Sequence, residues 1–479
     1  MIEYLKILNK EEKSKFEKFL NSSFFNTNVN IVKLFYYLKS NSEISNEKNL
    51  PRKEIYKILY PGKKYEDTKY RKVVSDFSKT FEKFLMYMEI ENDDLSSKTL
   101  LLKALRKKNL SKRFESNMRE LKKIYETSFS KDSEFYRSKI EYEQEYYYYN
   151  FNKYKQEFAF CLQEKSDNLD YYFIFSKLHT FMEMFTNEIN TARPDKFNKS
   201  FYIEIISAVE KNKELISKKH PNIFIAYNVL QMFITSDKLY LEQLTSYLES
   251  NESKFSKEKL SHYYNYFVAY YTYKINKGNI EYRKGLFEIF KIMSEKKLFL
   301  IDNLITDAEY NSVINTSLSL GEQKWVENFI ENYKKFLDPE FKNDAYSLAK
   351  AKLFFYKKDY ENIFAYLNEI KYKDPVYYIN SKFLLARVYF DTEKSESMQY
   401  VLENLKQYIR DKKRLPEDQK SAVKIFVQYA ASLIRIKELL NKKNKKPELI
   451  ILKKEIENNK KLVPNKNWFL EKIEENNKS

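Results

Sequence analysis

Ser347-Leu348-Ala349-Lys350-Ala351-Lys352-Leu353-Phe354, followed by a turn at Lys358-Asp359-Tyr360, then by Ile363 and Leu367, and closing at Asp374-Pro375, is the stretch that decides the fold. Apolar residues recur every three or four places on either side of a short polar turn, which is the spacing of two amphipathic helices folded back on each other. A small residue, Ala351, stands three places before an aromatic one, Phe354, while Ile363 and Leu367 lie four apart on one face of the second helix. The design recurs on both sides. Downstream, Leu385-Ala386 and Tyr389 repeat the first-helix pattern, and Met398, Leu402 and Leu405 line the second helix. Upstream come Tyr310 and Val313, a turn at Leu320-Gly321-Glu322, then Val326, Ile330 and Tyr333 before Asp338-Pro339. The units 307–340, 344–377 and 379–412 thus follow one another at a period of about 34 to 37 residues.

In period, in the small-then-aromatic first helix and in the closing proline, this array resembles the tetratricopeptide repeat (TPR), with Ala351, Phe354, Ile363, Leu367 and Pro375 in the family's places. The resemblance implies an all-α fold, an α-solenoid of antiparallel helix pairs. It also implies a concave groove lined by successive first helices, which takes an extended peptide or a partner helix. In this register the groove presents Asn311, Asn315, Lys352, Phe355, Asn380, Phe383, Arg387 and Asp391. Asparagines can bond a peptide backbone, lysine and arginine can hold a carboxylate, and phenylalanines can supply apolar pockets. Asn315 suits the family's carboxylate clamp, but Ala349 stands where the clamp has another asparagine, so capture of a carboxy-terminal peptide is not expected.

Composition points the same way. Four glycines and nine prolines in 479 residues are too few for a strand- and turn-rich protein, and 42 tyrosines with 37 phenylalanines suit helices that pack broad faces on two neighbours. A lone cysteine, Cys161, excludes an intrachain disulfide and fits a reducing compartment. The amino terminus leads straight into charged helix, and no run approaches the roughly 18 apolar residues that cross a bilayer, so a cytoplasmic protein without membrane partners is expected.

Along the chain, Asn9 before Glu11-Glu12 reads as a helix cap. Helices bearing Phe16, Phe19 and Leu20, then Ile31, Leu34, Phe35 and Leu38, then Ile55, Ile58 and Leu59 after Pro51, and finally a long one with Tyr70, Phe77, Phe81, Phe84 and Leu85, make residues 1–92 a helical amino-terminal module. Residues 93–479 read as the solenoid. Its expected pairs include 135–150 with 154–164, then 169–189 with 201–216 across Ala192-Arg193-Pro194-Asp195. Residues 416–476 form a carboxy-terminal cap: a long helix after Pro416, a polar break through Pro447, and a last helix with Trp468, Phe469 and Ile473.

The net charge of +18 is concentrated in two windows. Residues 98–123 hold ten basic and two acidic side chains and 406–461 hold seventeen and seven, so the rest of the chain is close to neutral. Solvated faces explain such runs. A nucleic-acid-associated protein is the second reading, using those segments and a helix-turn-helix-like amino-terminal module, but lysine outnumbers the arginine that phosphate recognition favours.

Motifs of catalysis are missing: no phosphate-binding loop, dinucleotide fingerprint, zinc helix or nucleophile elbow is present. His179, His220 and His262 lie far apart without ligand spacing, and Cys161 between Phe160 and Leu162 reads as a core thiol. The expectation is a non-enzymatic scaffold that binds another protein or peptide, with no cofactor and no metal.

Overall fold

The computed structural model describes residues 2–41, 50–151, 160–190, 197–371, 374–412, 415–439, 442–459, 461 and 463–478. Those residues form twenty-four α-helices and no strand, apart from one isolated bridge between Ile301 and Leu304. The architecture is an all-α, repeat-like solenoid of paired antiparallel helices. By contacts the chain divides into two compact units, Met1–Met184 with Phe197–Tyr227, and Phe185–Lys196 with Asn228–Ser479.

In the first unit, the helices up to Asp67–Asn92 close around an aromatic centre. Phe16 meets Phe35, Phe77 and Phe81 edge to face, and Tyr4 stacks on Phe81. The second helix, Lys10–Asn21, begins with the expected reciprocal cap: Asn9 accepts from the Glu12 N–H, and the Glu12 carboxylate accepts from the Asn9 N–H. Two expected core residues lie outside it. Helix Arg52–Leu59 turns Ile55, Tyr56 and Leu59 inward and leaves Ile58 exposed, and Leu85 is likewise exposed beside buried Phe84. Neighbours one residue apart on a helix differ by about 100° in direction, so the buried arc that holds Ile55, Tyr56 and Leu59 leaves Ile58 at its edge, as it leaves Leu85 beside Phe84.

Beyond it, helix Asp94–Lys107 packs on both Ser111–Thr127 and Ser133–Asn150. Where periodicity predicts a helix end at Glu164 and a new start at Leu169, the chain runs unbroken as Phe160–Asn190. Nothing in those 31 residues is glycine or proline, so no residue enforces a stop. The expected turn at 192–195 and the start of the 154–164 helix lie outside the described residues. Conversely, the expected helix 201–216 is split at Asn212 into Tyr202–Lys211 and Lys213–Lys219.

The second unit contains the regular pairs: Lys257–Asn276 with Tyr282–Glu295, Asp307–Ser319 with Gln323–Tyr333, Lys342–Tyr356 with Tyr360–Glu369, and Pro375–Asp391 with Ser395–Asp411. First helices pack on first helices, since Lys342–Tyr356 touches both Asp307–Ser319 and Pro375–Asp391. The repeat residues form the core as the spacing requires: Tyr310, Val313, Val326, Ile330, Ala351, Ile363, Ala386, Met398 and Leu405 are fully buried. Phe354 is only half-buried, stacked on Tyr366. Gly278 and Gly321 close two of the interhelical turns at positive φ; Lys358 and Glu393 take the same left-handed conformation in the next two.

After Glu417–Lys437, the expected break through Pro447 is absent among the described residues. Helix Lys442–Glu457 already includes that proline. Pro447 sits in its second turn, so little helix precedes the backbone bond it cannot donate. The last helix, Lys466–Lys478, buries Trp468, Phe469 and Ile473. No helix among the described residues is long and apolar enough to cross a membrane.

Candidate functional site

Side chains from three consecutive first helices meet in the second unit. Asn311 donates to the Asp307 carbonyl one turn back, and its Oδ1 accepts from Lys352 Nζ at 3.0 Å, joining helix Asp307–Ser319 to helix Lys342–Tyr356. One turn along the latter, Phe355 receives the Arg387 guanidinium on its face at 4.1 Å, joining it to helix Pro375–Asp391. Phe383, one turn earlier on that helix, stacks on Phe426 of Glu417–Lys437 with centroids 4.1 Å apart. Asp391, one turn after Arg387, lies 3.1 Å from Lys472 of the last helix.

Six of the eight residues singled out from sequence therefore belong to one chain of contacts: Asn311, Lys352, Phe355, Arg387, Phe383 and Asp391. Asn380 instead bonds the Val376 carbonyl of its own helix, and Asn315 is exposed. Phe355, Phe383 and Arg387 are buried rather than lining an open trough. Phe426 of Glu417–Lys437 covers Phe383, the Arg387 guanidinium covers Phe355, and the last helix covers Arg387. Asn465 at its start accepts from Arg387 Nη1 at 3.0 Å, Trp468 sets its ring edge-on to Phe390 and within 5.8 Å of the guanidinium, and Phe469 packs on Phe426 and Tyr429. Asn465, Trp468 and Lys472 are legible in the sequence only as parts of a cap. Their partners on helix Pro375–Asp391 lie about 80 residues earlier in the sequence, and no local pattern connects the two.

The electrostatics of this cluster are unbalanced. Lys352 has no carboxylate partner among the described residues; its hydrogen bond is to a neutral amide, and burial, then the Arg387 charge, push its pKa down to about 8. Burial is also the main force lowering the Arg387 pKa, which Tyr356 and then the Asp391 and Glu471 charges oppose. Two crowded cations met mainly by neutral groups are a stability cost that an apolar residue would not carry. Lys352→Met is accordingly expected to stabilise the protein by about 1–2 kcal/mol at pH 7, read from urea denaturation at low salt. The sign follows from the depressed pKa. Between pH 8 and the ordinary lysine value of 10.5 the unfolded chain holds the proton that the folded one has released, so wild-type stability rises with pH there and the variant's does not. Equal stability of the two proteins at pH 7 would show Lys352 to be as well solvated as a surface lysine.

A second concavity lies in the first unit, a cleft of about 620 Å³ beside His220. The sequence suggests a loop histidine before Pro221, but the ring is buried: Tyr136 Oη lies 2.7 Å from Nδ1, and Tyr171 stacks on it at 3.7 Å. Burial, then the Lys131 and Lys219 charges, push the imidazole down to about 3. Cations and carboxylates alternate around the cleft, with Lys139 paired to Glu143 at 2.5 Å, so no single charge type is presented to a ligand. Among the described residues no group of three or more His, Cys, Asp or Glu side chains converges to hold a metal. Cys161 is buried, and that burial raises its pKa.

Comparison with known proteins adds no neighbour: no family model, no curated protein and no solved structure matches the chain.

Proposed function

We propose that this protein is a non-enzymatic scaffold of the tetratricopeptide kind, and that it holds an acidic segment of another protein against Lys352 and Arg387. The observation that carries this reading is the pair of crowded cations on successive first helices, Lys352 answered by the neutral amide of Asn311 and Arg387 by the Phe355 face, Asn465 and Tyr356. A folded chain retains such a cost most readily where function uses it. The repeat spacing, the buried Ala351 and Ala386, and the packing of first helix on first helix support the family assignment.

The test is a fluorescence titration of the full chain with paired synthetic helical peptides that differ only in carrying glutamate or glutamine on their apolar-face edge. The acidic members are expected to bind at least tenfold more tightly, and Lys352→Met to remove that preference while the protein stays folded. Indifference to the substitution, or an undiminished preference in Lys352→Met, would defeat the reading. Nucleic acid is the alternative outcome. Tight binding of an oligonucleotide that falls by orders of magnitude over a fourfold salt increase would move the function to segments 98–123 and 406–461. Several cations there are already engaged, Lys98 with Glu120, Arg106 with Glu145 and Lys453 with Glu474, which leaves less charge for phosphates.

A further inference from the structure

We infer that the last helix, Lys466–Lys478, is an internal placeholder in the groove, and that the ligand it stands in for is an amphipathic helix with a carboxylate at the Asn465 position, a large aromatic ring three residues on and a cation four residues after that. This rests on the groove reading above and names the partner's chemistry.

The helix does more than cover the end of the array. Asn465 and Trp468 reach back to Arg387 and Phe390, and Lys472 to Asp391, so besides packing on Glu417–Lys437 and Lys442–Glu457 it covers two of the residues that the first-helix register directs into the groove. Thirteen residues are too few for a helix to persist alone in water, and Trp468, Phe469 and Ile473 supply its buried apolar anchors.

The polar fit is incomplete at two points. Arg387 Nε and Trp468 Nε1 donate no hydrogen bond among the described residues. Buried groups left this way carry a desolvation penalty that a better-matched occupant would relieve.

The mismatch also says what that occupant looks like. Arg387 is a fork of donors that meets the neutral Asn465 amide at Nη1 and the Tyr356 side chain, while its Nε stays unpaired among the described residues; a carboxylate in place of the Asn465 amide can take two donors in charge-assisted bonds. Asn465 adopts a left-handed backbone, φ 55°, which aspartate tolerates nearly as well as asparagine, so the exchange keeps the geometry. The aromatic ring and the cation at the later positions keep the contacts to Phe390 and Asp391.

The experiment uses the full-length chain and two labelled peptides spanning 464–478, one native and one carrying Asn465→Asp. Wild type is compared with Trp468→Ala, which removes an anchor of the internal helix. Lys472→Glu, which turns the attraction to Asp391 into repulsion without emptying the core, serves should Trp468→Ala disturb folding. Amide exchange over 466–478 reports whether the internal helix has been released. Either released variant is expected to bind the aspartate peptide at least tenfold more tightly than wild type does, with the aspartate peptide at least fivefold tighter than the native one. Adding Arg387→Gln should erase the difference between peptides. Equal binding by wild type and variants would overturn the placeholder while leaving the groove reading intact. Variants that keep 466–478 protected would likewise overturn it, marking the helix as a fixed part of the fold. No binding by a variant whose helix is released would defeat both proposals, and equal binding of the two peptides would refute the acidic position.

Discussion

Lowering the pH from 7 to 4 is expected to remove about 3 kcal/mol of stability through His220 alone. The imidazole is buried against Tyr136 and Tyr171 with the Lys131 and Lys219 charges nearby, and its pKa falls to about 3 from an ordinary 6.5. Between those two values the unfolded chain takes up a proton that the folded chain refuses. Stability is therefore full above pH 6.5 and declines steadily as the pH drops toward 3. The neutral ring is also the form that suits its contacts, since an unprotonated Nδ1 can accept the Tyr136 hydroxyl. In His220→Asn the side-chain oxygen can take over that bond without titrating. Urea denaturation of both proteins at pH 4, 5, 6 and 7 should give curves that converge in acid, the variant losing less. Parallel curves would mean that the imidazole already charges near its ordinary value.

Replacing Ala351 or Ala386 with phenylalanine is expected to destabilise by about 1–3 kcal/mol. Both alanines are fully buried on first helices that pack against each other, the setting in which a larger side chain has to force its neighbours aside. Because the two sites lie on helices that pack against each other, the double variant is expected to depart from the sum of the single losses by about 0.5 kcal/mol or more. Thermal or urea melting measures all three proteins, and an unchanged midpoint in the single variants would contradict the tight crossing.

These two residues differ in how they could be found. Ala351 declares itself in the sequence because a helix repeats its faces every 3.6 residues, so a small residue at fixed spacing from Phe354 and Ile363 marks a crossing by its place in the pattern alone. His220 stands in a stretch that reads as a loop, and only the arrival of Tyr136 and Tyr171, many residues away, makes it a buried neutral base. The same division runs through the groove. The first-helix register is enough to select Phe355 and Arg387, and they do meet; it cannot foresee that Arg387 is buried, because the helix over it comes from the far end of the chain.

The amino-acid sequence by itself determined the all-α class, the paired helices of 307–411 and the alanines at their crossings, since each depends on periodicity within some forty residues. It also marked the capping box at Asn9 and Glu12, a purely local arrangement. Tertiary structure alone decided that Ile58 and Leu85 face outward, that 160–190 continues as one helix, and that Lys352 and Arg387 share a crowded face closed by Trp468. Helical propensity and spacing are near-neighbour properties, whereas desolvation and charge balance are set by whatever else the fold brings within a few ångströms.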